Sequence, residues 1–154
     1  MSCGLLPVTL AENQSIRKFT NIMAKKKSRL CPCGSAQKYN QCCGRYIDAG
    51  EIPATPEQLM RSRYTAYSLQ NDAYILDSWH SSTRPVSLSE ENKLPVKWVE
   101  LKVTNSSVPA QNETTATVEF VARFKVNGKA EQMHECSEFI KEGGRWFYFK
   151  GEVG

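Results

Sequence analysis

The spacing of hydrophobic positions changes along the chain, and each change marks a different kind of element. From Thr55 onward Leu59, Met60, Tyr64, Ala66 and Tyr67 recur at steps of three and four, with Arg63 among them. That is the period of one broad helix face. Thr55-Pro56-Glu57-Gln58 reads as its start: Thr55 as N-cap, proline in the first turn, and Gln58 closing a capping box. The helix is predicted to run to about Gln70. Asn71-Asp72 restarts a second short helix over 73–79, with Tyr74, Ile75, Leu76 and Trp79 apolar. Residues 80–93, rich in Ser, Thr, Asn and Pro, read as a loop. After Leu94 the period falls to two. Val99, Leu101 and Val103 share one face with Trp98 on the other, and Val118, Phe120, Ala122, Phe124 and Val126 alternate with Glu119, Arg123 and Lys125. Asn127-Gly128 gives a tight hairpin, 129–141 the return strand, and Gly143-Gly144 a turn into 145–150. Helices followed by an antiparallel meander predict an α+β domain, with helices packed on one face of a four-stranded sheet.

Composition narrows the class without changing that outline. The 154 residues are 40% hydrophobic and 23% charged, which suits one soluble domain with a small appendage and excludes collagen-like and disordered chains. The apolar runs fall far short of the ~18–20 residues of a membrane helix. Residues 4–10 are apolar but contain Pro7 and have no basic residues before them, so they do not read as a secretory signal. Residues 1–28 are expected to be a flexible basic tail, with Met23 itself placed like a start. The expected compartment is the cytoplasm, where cysteines bind metal more often than they form disulfides.

Charge is split unevenly. Residues 13–47 hold eight basic side chains (Arg17, Lys18, Lys25, Lys26, Lys27, Arg29, Lys38 and Arg45) and no acid, while the other twelve Lys and Arg face all sixteen acids. A basic head on a mildly acidic body suits phosphate or an acidic protein surface.

The head also carries the strongest chemical signal. In Leu30-Cys31-Pro32-Cys33-Gly34-Ser35…Gln41-Cys42-Cys43-Gly44, four of the six cysteines fall in a C-x-C-x8-C-C pattern. A structural zinc ion takes four such ligands tetrahedrally. Pro32 and Gly34 let the first pair turn to one side, and eight residues suffice to loop back with the second pair. The alternatives are two disulfides, a redox-active pair, iron–sulfur ligation, or four unrelated thiols. The inferred compartment opposes the first, and no redox C-x-x-C is present to support the second. Cys136, in a strand-like run, reads as a small buried hydrophobe.

CPCGSAQKYNQCCG resembles the SEC-C motif, the zinc knuckle at the C-terminus of the SecA translocase motor. With RSRYTAY, SWHSSTRP and EFIKEGGRWFYFKG after it, the chain resembles the YchJ family over roughly residues 29–151. The resemblance implies a SEC-C knuckle over 29–47, a linker over 48–56, and a nuclear-transport-factor-two-like, or cystatin-like, cone over 57–154. Members often carry a second C-terminal knuckle. No second cysteine cluster occurs up to Gly154, so roles that need two knuckles are not expected. Because the linker breaks periodicity, the knuckle and body are expected to fold independently.

A cone could enclose a ligand. Tyr64, Tyr67, Trp79 and Trp146 are candidate walls, with Phe120, Phe124 and Tyr148 as further large side chains; His80, Arg84, His134 and Glu135 are candidate polar groups. Pockets combine apolar walls with a few convergent polar groups, yet fifteen aromatic residues would equally fill a curved sheet. His80 reads as a helix-end histidine, and His134, in parity with Cys136 and Ile140, could turn inward. Arg63, on the apolar helix face, could reach a buried carboxylate or a pocket anion, and a core acid is the expected partner. No nucleophile sits beside a base and no carboxylate pair stands out. Macromolecular binding through Lys25, Lys26, Lys27, Arg29, Lys38 and Arg45 therefore ranks ahead of catalysis, with an acidic protein or ribosome-associated partner first, nucleic acid second, and no membrane. The other reading is small-molecule binding, or isomerase- or dehydratase-type activity, in the cone.

Overall fold

The computed structural model describes residues 29–88 and 96–154. The tail 1–28, including Lys25, Lys26 and Lys27, and part of the loop 80–93 lie outside the described residues. A short 3-10 turn at Tyr39–Gln41 leads into helix α1 (Gly44–Ile47), followed by α2 (Pro56–Ser68) and α3 (Asp72–Asp77). Strands β1 (Val96–Ser106), β2 (Thr115–Val126), β3 (Lys129–Glu142) and β4 (Arg145–Val153) form one antiparallel meander in the order β1-β2-β3-β4. Among the described residues no helix is long and apolar enough to cross a membrane.

The starts and turns follow local chemistry. Thr55 Oγ1 accepts from the Gln58 N–H at 3.2 Å, and Gln58 Oε1 accepts from the Thr55 N–H at 3.3 Å, which completes the capping box. Removing the cap with Thr55→Ala should lower stability by about 1 kcal/mol, read as a shift in the urea midpoint with an unchanged m-value. Asn127 and Gly128 have φ of 50° and 78°. Positive φ at both central residues matches the hand of a two-residue hairpin to strand twist.

Strand β1 departs from its sequence pattern. Alternation predicts Val99 on the face of Leu101 and Val103, with Trp98 opposite. Instead Trp98 faces Phe124, Leu101 faces Ala122 and Val103 faces Phe120, while Val99 is 52% exposed. The register shifts between Trp98 and Glu100, and again between Val103 and Asn105. Each bulge inserts one residue and resets which face the next side chain meets. Trp98 is thereby turned onto the inner face, where its ring lies 5.6 Å from that of Tyr64 and 5.4 Å from that of Phe124.

The core lies between α2 and the concave face of the sheet. Leu59, Met60 and Tyr64 from the helix meet Leu101, Val118, Phe120, Ala122, Phe139 and Trp146. Cys31, Cys33, Tyr39 and Cys43 belong to the same buried cluster. The expected independence of knuckle and body is thus corrected: residues 48–55 form no helix or strand, but the two parts they join share one core. The stretch after α3 closes the other side, where Tyr148 N–H donates to Ser78 O and His80 N–H to Tyr148 O at 2.9 and 2.7 Å.

Candidate metal centre and cone cavity

The segment bearing the cysteines folds back on itself through backbone hydrogen bonds. Cys31 N–H donates to Gln37 O and Tyr39 N–H to Arg29 O, both at 2.8 Å. Between them Gly34 turns with φ of 80°, and an added Cβ would press on the Leu101 carbonyl at 3.2 Å. Gly44 is fixed more tightly, since a Cβ there would meet the Tyr39 carbonyl oxygen at 2.7 Å. Glycine at these two positions brings both cysteine pairs together against the sheet.

The sulfurs of Cys31, Cys33, Cys42 and Cys43 all lie within 4.8 Å of one another, with Cys33–Cys42 at 3.5 Å and Cys42–Cys43 at 3.9 Å. A tetrahedral ion with metal–sulfur bonds of about 2.3 Å has sulfur–sulfur edges of about 3.8 Å, so the donor set fits one such ion. All four thiols are free, and their separations far exceed the ~2.05 Å of a disulfide. Four sulfurs around one ion leave no open position for substrate. A bound metal there would hold the surrounding chain together rather than carry out chemistry.

Crowding drives the thiol ionisations apart. Cys33 is held far below the usual thiol range because Cys31, Cys43 and Ser35 donate hydrogen bonds to it. Hydrogen bonding to Cys33 pushes Cys31 up to about 11, and hydrogen bonding to Cys31 and Cys33, with burial, pushes Cys43 far up. The Cys33 thiolate is thus favoured, and Cys31 and Cys43 resist ionising beside it. A cation removes that conflict by binding all four as thiolates. Neighbouring groups tie the cluster to α2: Arg61 Nη1 donates to Cys33 O at 2.8 Å, and Thr65 Oγ1 lies 3.7 Å from Cys31 Sγ.

A second feature lies deeper in the cone. A cavity of about 150 Å³ is lined by Met60, Arg63, Tyr64, Tyr67, Trp98, Phe120, Met133, Glu135 and Tyr148. Arg63 is 2% exposed. Its Nη1 donates to Ile75 O and Ser78 Oγ, both at 2.7 Å, and its guanidinium carbon sits 4.3 Å from the Tyr148 ring centre and 5.1 Å from that of Trp79. The expected core acid is absent: among the described residues Arg63 forms no ion pair, and a carbonyl, a hydroxyl and two ring faces take its place. Burial lowers its pKa, while burial pushes the Tyr64 phenol up to about 12 and that of Tyr148 higher still, which keeps both protonated. Glu135 Oε1 accepts from Ser137 and Tyr148 hydroxyls at 2.8 and 3.2 Å. Gly151 makes room for it, since a Cβ there would overlap that carboxylate.

The sequence model described as "YchJ, middle NTF2-like domain" matches residues 55–151, and the SEC-C motif matches 30–45. The UPF0225 protein of Chromobacterium violaceum is 47% identical over 133 residues, covering 84% of this chain and 98% of that protein. That of Bordetella pertussis is 45% identical over 125 residues, covering 80% and 92%. The chain belongs to the YchJ-like UPF0225 family. Solved structures agree. The solution structure of a SEC-C motif containing protein from Rhodopseudomonas palustris has a TM-score of 0.72 at 37% identity, covering 80% of this chain and 98% of that one. The crystal structure of a SEC-C motif containing protein from Psychrobacter arcticus has a TM-score of 0.69 at 27% identity, covering 84% and 85%.

Within this UPF0225 cone, Tyr64, Tyr67, Phe120, Tyr148 and Glu135 of the candidate pocket residues meet at the cavity. Trp79 backs onto Arg63 without lining it. His80 lies elsewhere, its Nε2 2.6 Å from Glu142 and its Nδ1 2.6 Å from Ser82. Arg84 is exposed, and Trp146 is buried beneath Lys141, whose ammonium sits 5.7 Å from its ring. His134 does not turn inward. Odd positions of β3 face the cavity and core (Met133, Glu135, Ser137, Phe139), so His134 stays on the outer face, 2.6 Å from Glu119. No acid–base set of His80, His134 and Glu135 is assembled. Trp98 was hidden from sequence reasoning by its bulge. Met60 and Met133 carried a signal in their spacing, one turn from Tyr64 and two positions from Glu135.

Proposed function

We propose that this protein is a zinc-stabilised docking protein of the cytoplasm, in which the knuckle presents a basic edge to an acidic protein surface. Zinc is the ion best suited to a closed, single-ion cage of four thiolates. The observation that carries the docking reading is at the knuckle's outer edge. Leu30, 67% exposed, pairs across an antiparallel bridge with the exposed Lys38, and the exposed Arg29 precedes it, its carbonyl accepting from Tyr39 N–H. Arg29 and Lys38 form no ion pair among the described residues. Arg45, by contrast, is held by Glu51 at 2.7 Å and is largely neutralised. An exposed apolar side chain with unpaired cations next to it along the backbone suits an acidic surface with one apolar contact. Lys25, Lys26 and Lys27 precede this edge in sequence and add long-range attraction.

The test is retention of partners from a native lysate by the metal-loaded full chain. Charge reversal at Arg29 and Lys38, and separately Leu30→Asp, should each abolish retention at physiological salt while metal content and circular dichroism stay unchanged. Substituting Lys25, Lys26 and Lys27 by Ala should weaken capture chiefly at low salt. Equal retention by the wild type and the Arg29/Lys38 variant would overturn the reading. Loss of retention on nuclease treatment would assign the edge to nucleic acid instead.

A further inference from the structure

We propose that the cone cavity binds a small aromatic monocarboxylate, its carboxylate on Arg63 and its ring between Tyr64, Tyr67 and Trp98. Size sets the first limit, because an apolar-walled cavity of about 150 Å³ accommodates a single benzene-sized ring. The chemistry of Arg63 sets the second. A cation this deeply buried needs a counter-charge, yet no carboxylate lies within ion-pair reach of it among the described residues. Nη1 carries the two short hydrogen bonds to the protein. The Tyr67 hydroxyl lies near the guanidinium, but no carboxylate pairs with the Nε and Nη2 edge among the described residues, and that edge is the two-pronged donor that matches both oxygens of a carboxylate. The rings of Tyr148 and Trp79 already hold the guanidinium plane in place, so little ordering remains when a ligand arrives.

Glu135 supplies the other end of the site. Its Oε1 is held by two hydroxyls, which keeps the carboxylate from swinging onto Arg63 and leaves it able to accept from a hydroxyl or amino group on the ligand's ring. An ammonium ligand would enjoy the aromatic walls but would be placed against Arg63, which disfavours it.

Benzoate, benzamide and benzylamine, titrated into the metal-loaded full chain, separate these cases. The readout is the indole N–H resonance of Trp98, assigned by its loss in Trp98→Phe. Benzoate should give a saturable shift and bind at least about tenfold more tightly than benzamide, the difference expected for a charge-assisted pair. Arg63→Lys should remove that preference. Met133→Trp, which fills the cavity from the sheet side and leaves the Arg63 side chain in the sequence, should abolish the shift while thermal melting stays cooperative, and so keeps the test decisive if Arg63→Lys misfolds. Equal affinity for benzoate and benzamide, tighter binding of benzylamine, binding that survives Met133→Trp, or no saturable shift with any probe would overturn the proposal.

Discussion

Removing the metal, or replacing Cys43 by serine, is expected to unfold the whole molecule in one transition rather than to loosen the knuckle alone. Cys31, Cys33 and Cys43 are buried in the same cluster as Leu59, Tyr64, Leu101 and Phe120, so the cysteine-bearing loop forms part of the wall on which α2 and β1 rest. A thiolate-bound structural ion contributes on the order of 10 kcal/mol, comparable with the whole folding free energy of a domain, about 5–15 kcal/mol. Without the ion, several thiols must stay buried at sulfur–sulfur separations as short as 3.5 Å, with no partner to draw them together. Chelation should lower the melting temperature by at least about 15 °C, since each kcal/mol corresponds to roughly 2–8 °C for a domain of this size. Far- and near-ultraviolet circular dichroism should melt together. A chelated protein whose sheet melts unchanged, with only a small early transition, would show that the knuckle folds independently after all.

Phe139→Ala should be the most damaging single change in the sheet. Phe139 is 1% exposed on the inner face of β3, paired with Ala116, and its ring lies 5.9 Å from that of Tyr148. Emptying such a site removes the transfer free energy of the ring and leaves a void, together about 3–5 kcal/mol. The urea midpoint should fall accordingly with the m-value unchanged. Because knuckle and sheet share one core, the variant should also unfold at a lower chelator concentration than the wild type, since ion binding then has to support a less stable native state. Unaltered chelator sensitivity in a destabilised variant would count against the shared core.

Features fixed by a short-range rule are the ones legible in the chain. The capping box at Thr55, the hairpin at Asn127-Gly128, the two helices and the strand meander, and the grouping of Cys31, Cys33, Cys42 and Cys43 depend on neighbours within about a dozen residues. Local sterics and hydrogen bonding carry such features by themselves. The family resemblance, resting on those same motifs, supplied the curvature of the sheet and the cone.

Long-range packing decided the rest. Alternation placed Trp98 on the wrong face because a bulge depends on how β1 registers against β2, which no local pattern encodes. Arg63 was expected to meet an acid, but its partners Ile75, Ser78, Trp79 and Tyr148 come from α3, the segment after it, and β4, joined only in the closed fold. The parity that keeps His134 outside and turns Glu135 inward is a property of β3 within the sheet. The break in periodicity over 48–56 does not separate two cores either, since Cys33, Arg61 and Leu101 meet across it. Elements, the four-cysteine grouping and the family are thus legible along the chain. Which side chains share a cavity, and that the cysteine cluster is part of the core, follow from the assembled sheet and helices, because burial and register are not properties of any one stretch of chain.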